Sequence, residues 1–306
     1  MTERLVDAIP GVVLALALSP LLLGIINKTK AFVGGRSGPP FLQPYHDIIK
    51  LLRKGAVYSR TTSWVFRAGP VVVLASALGA LMVVPLAGRS ALFSFSGDLI
   101  LLVYFLGMMR FFIVLAALDT GSAFEGMGAS REVQFSVLAE PALLLALAAL
   151  LRQTEGMSLA EAYGETGTIV LHSIGPEAFL VAAALMVVFL SENSRIPVDD
   201  PDTHLELTMV HEVMVLDHGG PDFGIITYAA SLKIWVLGAL IVGIVLPVRS
   251  GSVVLDLGAA TVGMFVLAFM VGLIESGMAR LRMLRIPHLL SAALVLAGLA
   301  LILGLE

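Results

Sequence analysis

The sequence contains no cysteine. It can therefore hold no thiolate-bound iron–sulfur cluster and no disulfide, and any redox work must keep its electrons on another subunit. Charge is scarce as well: only 14% of residues are Asp, Glu, Lys or Arg, a share that soluble chains of this length rarely show. No Walker motif, dinucleotide fingerprint or serine-nucleophile elbow is present. Metal ligation is not expected either. His204, His211 and His218 fall seven residues apart, which spaces neighbours by about 10 Å along a straight helix, whereas ligands of one zinc ion lie about 2 Å from it. His211-Glu212-Val213-Met214-Val215 also lacks the second histidine of a zincin motif. These absences argue against an intramembrane enzyme and against a nucleic-acid partner.

What is present is apolar sequence, 58% of the chain, arranged in runs of bilayer-span length. The runs predict eight helical spans, about 8–27, 68–88, 97–118, 133–151, 175–194, 229–248, 254–277 and 286–305. The chain reads as an all-α, polytopic membrane protein, a single transmembrane domain over 1–306. Basic residues alternate between connections. Fifteen of the 19 Lys and Arg residues lie in 28–67, around 110–131, in 195–233 and in 278–285. The other four are Arg4, Arg89, Arg152 and Arg249. The positive-inside rule then predicts both termini outside and the long loops in the cytoplasm. The opening MTERLVDAIP does not read as a cleaved signal peptide, because Glu3 and Asp7 offset Arg4.

Two loops on the basic side carry opposite charge. In 28–67, the stretch FLQPYHDIIKLLRKG places Phe41, Tyr45, Ile48, Ile49 and Leu52 at helical spacing beside Lys50, Arg53 and Lys54. This predicts an amphipathic helix lying in the membrane interface; a plain positive-inside anchor is the simpler reading. The 195–228 loop is acidic. Asp200-Pro201-Asp202 reads as a helix start, and Gly219-Gly220-Pro221 reads as its stop, with four to five turns expected between them. The two loops are expected to pack together and to form a docking floor. The segment 152–176 reads as a surface loop on the other side.

Ionisable residues inside spans are costly and mark ion paths or partner contacts. Glu140 sits near the middle of the fourth span, just before Pro141, where a freed backbone group admits polar neighbours. Glu132 lies eight residues earlier on the same helix face. Glu192 and Glu275 lie near the inner ends of their spans, where side chains can snorkel. Arg110 and Lys233 are candidate counter-charges at similar depth, and mutual pairing among Glu140, Glu192, Glu275, Arg110 and Lys233 is the structural alternative to an ion path.

GGRSGPPFLQPYHDIIKLL and ENSRIPVDDPDTHLEL resemble two motifs of the subunit-1 family of respiratory complex I, the H subunit of bacteria. The first is similar to that family's Arg-x-Gly-Pro stretch followed by a surface helix. The second is similar to its Glu-Thr-Asn-Arg-x-Pro-Phe-Asp motif with trailing acids. The eight-span layout extends the resemblance over nearly the whole chain. GASREVQFSVLAEP, ESGMARLRMLRIP and Val198-Asp199-Asp200 look more like the membrane subunit of group-4 nickel–iron hydrogenases, such as formate hydrogenlyase and hydrogenase-4.

The resemblance implies a non-catalytic subunit that anchors a cytoplasmic arm and couples electron transfer to proton or sodium translocation through antiporter-like membrane subunits. Iron–sulfur clusters and a nickel–iron centre would sit in partner subunits, with no cofactor in this chain. It implies a line of acids at Glu140, Glu192, Asp199, Glu206 and Glu212, and a cavity facing the arm lined by Arg36, Arg131 and Arg195. The arginine-rich loop before the last span of quinone-reducing members is shortened here, and quinone binding stays open. The alternatives are a quinone-site subunit of NADH:quinone oxidoreductase and a stand-alone secondary transporter.

Overall fold

The computed structural model describes residues 2–87, 89, 91–152, 157–164, 175–200, 209–247 and 250–304, with side chains described from Asp7 onward. The protein is an all-α membrane protein of about eight transmembrane helices, and no strand occurs among the described residues. Among the described residues the helices are α1 (Thr2–Val33), α2 (Gln43–Leu52), α3 (Trp64–Val83), α4 (Asp98–Asp119), α5 (Ala123–Arg152), α6 (Pro176–Glu192), α7 (Gly220–Val245), α8 (Val253–Gly277) and α9 (Ile286–Leu303), beside a short helical stretch at 159–164. Seven of the long ones are long and apolar enough to cross a bilayer. The eighth, α6, has 17 residues, at the short end of the range for a span.

Prolines set several of the starts. Pro44, Pro176, Pro221 and Pro287 stand in the first turns of α2, α6, α7 and α9, where a missing N–H costs nothing. Ser63 caps α3 by accepting from the Val65 N–H at 3.2 Å. Inside α1, Pro20 has no N–H for the carbonyl of Leu16. The Tyr228 hydroxyl of α7 donates to that carbonyl at 2.9 Å instead. A proline in the bilayer is thus matched by a donor on a neighbouring span.

Helix α7 is the hub: 72% of its most apolar stretch is buried, against 28–44% in the other six candidate spans. Helices α1, α3, α6 and α8 pack on it, while α9 lies against α5 and α6. The amphipathic α2 rests on α1 and on the start of α7, and Gly224 leaves room for the Leu51 side chain. At Gly24, a Cβ would lie 2.1 Å from the carbonyl oxygen of Phe41, so a side chain there would push the 34–42 loop off α1.

The loops fall on two sides. Residues 34–63 and the start of α7 meet on one, where Tyr58 donates to Asp222 and a Cβ on Gly220 would lie 2.5 Å from the Gly55 carbonyl oxygen. The starts of α1, α4 and α8 meet on the other. There Arg89 bridges Asp7 (3.1 Å) and Asp256 (3.6 Å). The start of α1 and the end of α9 lie on this second side. The acidic and basic loops therefore do pack together.

The structure corrects four local expectations. Among the described residues of the acidic loop, no four-turn helix forms. Only one tight turn, Glu212–Val215, is present, and the expected start at 201–202 lies outside the described residues. Gly219-Gly220-Pro221 begins α7 rather than ending a helix, with Gly219 at its cap. Gly-Gly-Pro suits either end of a helix, since proline is at home both in the first turn and after a C-cap. Helix α5 starts ten residues before the expected 133, so Arg131 and Glu132 lie within its third turn. Finally, 157–164 is not surface loop: Leu159, Ala162 and Tyr163 are buried, and the Tyr163 hydroxyl donates to the Leu240 carbonyl at 2.9 Å.

Candidate functional site

One guanidinium organises the membrane interior. Arg110, on α4 and nearly buried, reaches three carboxylates on two other helices. Its Nε donates to Glu132 at 3.2 Å, one terminal nitrogen donates to Glu140 and the other to Glu192. Glu132 and Glu140 come from α5, eight residues apart, which brings both to one face. Glu192 is the last residue of α6. Its second oxygen lies 3.8 Å from Nζ of Lys233 on α7. Two cations thus face three acids. With every group ionised the cluster carries one surplus negative charge, and desolvation opposes that in a low-dielectric setting. Such a centre suits proton uptake.

Glu140 differs from its partners in exposure. Its side chain is 41% accessible, against 12% for Glu132 and 5% for Glu192. It lies on the outward face of α5 with Val133, Val137 and Leu144, beside the outward Tyr104, Met108 and Phe111 of α4.

Among the described residues, three cavities adjoin the cluster. The largest, about 140 Å³, extends from Glu192 and Lys233 past Arg195 to Asp199 and Glu212 at the loop side. The second, about 30 Å³, lies against Arg110, Glu132 and Met109. The smallest, about 10 Å³, lies between Arg110, Glu132, Glu192 and Asp199. The two larger have the volume to hold water, and both have polar walls.

Asp199 is buried and saturated. It accepts from the backbone N–H groups of Val210 (2.9 Å), His211 (3.2 Å) and Asp200 (2.9 Å), and it pairs with Arg280 at 2.8 Å. It pins the returning loop over the cavity. Glu275 pairs with neither Arg110 nor Lys233. Lys30 of α1 holds it at 3.1 Å and Arg195 at 3.5 Å. Arg195 is buried, lining the cavity rather than a docking surface. Arg131 donates to the Met209 carbonyl at 2.8 Å, tying α5 to the loop, and Arg36 is exposed in the loop after α1. Glu206 lies outside the described residues.

Sequence reasoning missed Glu125, a buried acid that accepts from the Thr120 hydroxyl and from the Asp217 N–H (3.0 Å). It also missed Gly128, where a Cβ would lie 2.3 Å from Val213. That glycine lets the Glu212–Val215 turn sit directly on α5. The small residues Gly126, Gly128 and Ala129 ahead of Arg131 were the available signal of close packing.

Among the described residues, no group of three or more His, Asp or Glu side chains could hold a metal ion.

A bundle of this size with a charged, cavity-bearing centre is an integral membrane subunit. The chain belongs to the NADH dehydrogenase subunit 1 family: the family model described as NADH dehydrogenase matches residues 8–305. It is a complex-I-like membrane subunit. It is 33% identical to formate hydrogenlyase subunit 4 of Escherichia coli (strain K12) over 292 residues, covering 93% of each chain. It is 31% identical to hydrogenase-4 component C of the same organism over 299 residues, covering 96% of this chain and 93% of that one. The fold matches a chain in the structure of the membrane-bound sulfane sulfur reductase, an archaeal respiratory membrane complex, with a TM-score of 0.82, 19% identity and 99% of each chain covered.

Proposed function

We propose that this subunit anchors the cytoplasmic arm of a group-4 hydrogenase or formate hydrogenlyase type complex, and that it couples electron transfer in that arm to proton or sodium translocation. The observation that carries this reading is the Arg110 cluster. Three carboxylates and two cations from four helices sit inside the membrane, continuous with a cavity that reaches the loop side. A purely structural pairing needs no surplus acid and no adjoining space for water.

Supporting this placement, the basic 34–63 and acidic 209–219 segments share one side, and opposite charge on one floor suits an electrostatically guided partner. Positive-inside orientation puts this side in the cytoplasm and both termini outside, and the similarity to the Escherichia coli subunits supports the plasma membrane of a prokaryote. The electrons, iron–sulfur clusters and nickel–iron centre belong to partner subunits, since no cysteine is available to hold a cluster here. An antiporter-like membrane partner fits the outward face of α4 and α5. A half-accessible Glu140 would be costly against lipid, so a neighbouring subunit is expected to cover it.

The test is affinity purification in mild detergent, with identification of the co-purifying chains and metal analysis. A nickel-bearing large subunit with iron–sulfur partners supports the reading. An arm free of nickel that reduces quinone overturns it in favour of a quinone oxidoreductase. Purification as a lone chain with transport activity overturns it in favour of a secondary transporter.

A further inference from the structure

The two larger cavities beside the Arg110 cluster share a wall. Four residues line both: His211, Ile226, Ala230 and Lys233. Ile226 and Ala230 cannot carry a proton. Lys233 lies beside Glu192 as an ion-pair partner. His211 is therefore the shared-wall residue whose ring can pass a proton without giving up an ion pair.

Its position is fixed from both sides. The His211 N–H donates to Asp199, and the turn that follows it packs on Gly128 of α5. Among the described residues, no hydrogen bond engages its ring nitrogens, which leaves both available to water. A neutral imidazole presents one N–H donor and one acceptor nitrogen. It can take a proton at one nitrogen and release one from the other, then return to its starting tautomer by ring rotation or by exchange through water. The net result is one proton moved and no change in the ring.

We propose that His211 is the proton relay between the two cavities, passing protons from the loop-side cavity at Arg195 and Glu212 to the Arg110–Glu132 centre. The proposal deepens the functional reading above and rests on it. The groups that face His211 are Lys233 from α7, Glu192 from α6 and Asp199 from the preceding loop. Burial, assisted by the Lys233 ammonium, pushes the imidazole down to about 4 against the pull of Asp199 and Glu192. The ring is thus neutral near pH 7, as a tautomeric relay requires.

The experiment uses the purified complex and needs no turnover. Protonation of the buried carboxyls is followed by time-resolved infrared absorption after a pH jump, with Glu132→Gln assigning the band. Expected is a rate at least ten-fold lower in His211→Gln and His211→Ala, and recovery in His211→Ala when free imidazole is added. Glutamine keeps polarity and size but cannot exchange protons this way, so His211→Gln decides the matter if the alanine variant fails to assemble. A wild-type rate in His211→Gln, a slow His211→Ala that imidazole does not restore, or no carboxyl band in the wild-type complex would overturn the proposal. Redox-driven proton uptake by the same wild-type preparation is measured in parallel. Its absence would sink the coupling reading while the pH jump still decides on His211.

Discussion

Arg110 and Arg89 each gather acids from distant parts of the chain, yet the two clusters differ in what completes them. Arg89 bridges Asp7 and Asp256, and Asp256 also accepts from the N–H (2.7 Å) and hydroxyl (2.8 Å) of Ser250. The nearby Asp98 needs no cation at all: the Ser158 hydroxyl (2.7 Å) and the Leu159 N–H (2.8 Å) donate to it. Fixed neutral donors of this kind satisfy a buried acid locally and make a clamp. Around Arg110, by contrast, three acids share one guanidinium and one ammonium, and water-sized cavities adjoin them. Acid residues in a membrane protein therefore divide by how they are satisfied. Saturated by local donors they build structure, and left in excess around shared cations beside water-sized space they suit the proposed ion path.

The largest expected effect comes from removing the shared cation. Arg110→Met strands three carboxylates with only Lys233 left to face them. Breaking a buried pair costs roughly 3–5 kcal/mol, so this variant should lose most of the assembled complex, read by yield and thermal unfolding. Adding Glu192→Gln and Glu132→Gln should recover assembly in part. If Arg110→Met assembles normally, the cluster is not the keystone of the interior.

A second expectation concerns acid. His218 is buried, stacked on Phe66 at 3.9 Å between ring centroids, and burial pushes its imidazole down to about 4. An unfolded histidine titrates near 6.5. As pH falls from about 6.5 towards 4, the unfolded chain takes the proton first, so the folded state loses stability through that window and is at full strength above it. The loss reaches roughly 3 kcal/mol once complete. His218→Gln should flatten that part of the stability–pH curve of the complex, measured by thermal unfolding at several pH values. An unchanged curve would place the acid sensitivity elsewhere, with His211 and the carboxylate cluster as the next groups to test.

On the clamp side, Asp98→Asn puts an amide where the Ser158 hydroxyl and Leu159 N–H donate. The expected cost is about 1–3 kcal/mol of stability, seen as a lower melting temperature. Coupled activity per assembled complex should not change. A specific loss of coupling with normal stability would erase the distinction drawn between the two regions.

The spans were legible because apolar runs of bilayer length are a local signal. So was α2, whose apolar positions recur at helical spacing. Arg110 and Glu140 were legible as possible partners from depth alone. Glu192 belonged to the same set, but that it shares one guanidinium with Glu140 was not legible, because the Arg110–Glu192 pair spans 82 residues and depends on how α4, α5 and α6 cross. Glu275 carried a depth signal and still went to Lys30 and Arg195, since rotation about a helix axis decides which side an acid faces. Asp199 reads as one more acid in a charged run. Its role in holding the loop rests on backbone donors of Val210 and His211, which no residue-type pattern encodes. The burial of Tyr163 was hidden for a similar reason, because a polar-looking stretch can fold back when one helical turn supplies the apolar face.

The most direct test of the account is Glu140→Gln in the purified complex, with assembly and redox-driven proton uptake measured on the same preparation. Glutamine keeps the shape and a hydrogen bond to Arg110, and Glu132 and Glu192 still hold that guanidinium. The complex should assemble at wild-type yield while proton uptake per electron falls by about ten-fold or more, the span expected when a positioned acid–base group is lost. Normal assembly with undiminished proton uptake would contradict the account and leave Glu140 as a passive residue of the subunit surface.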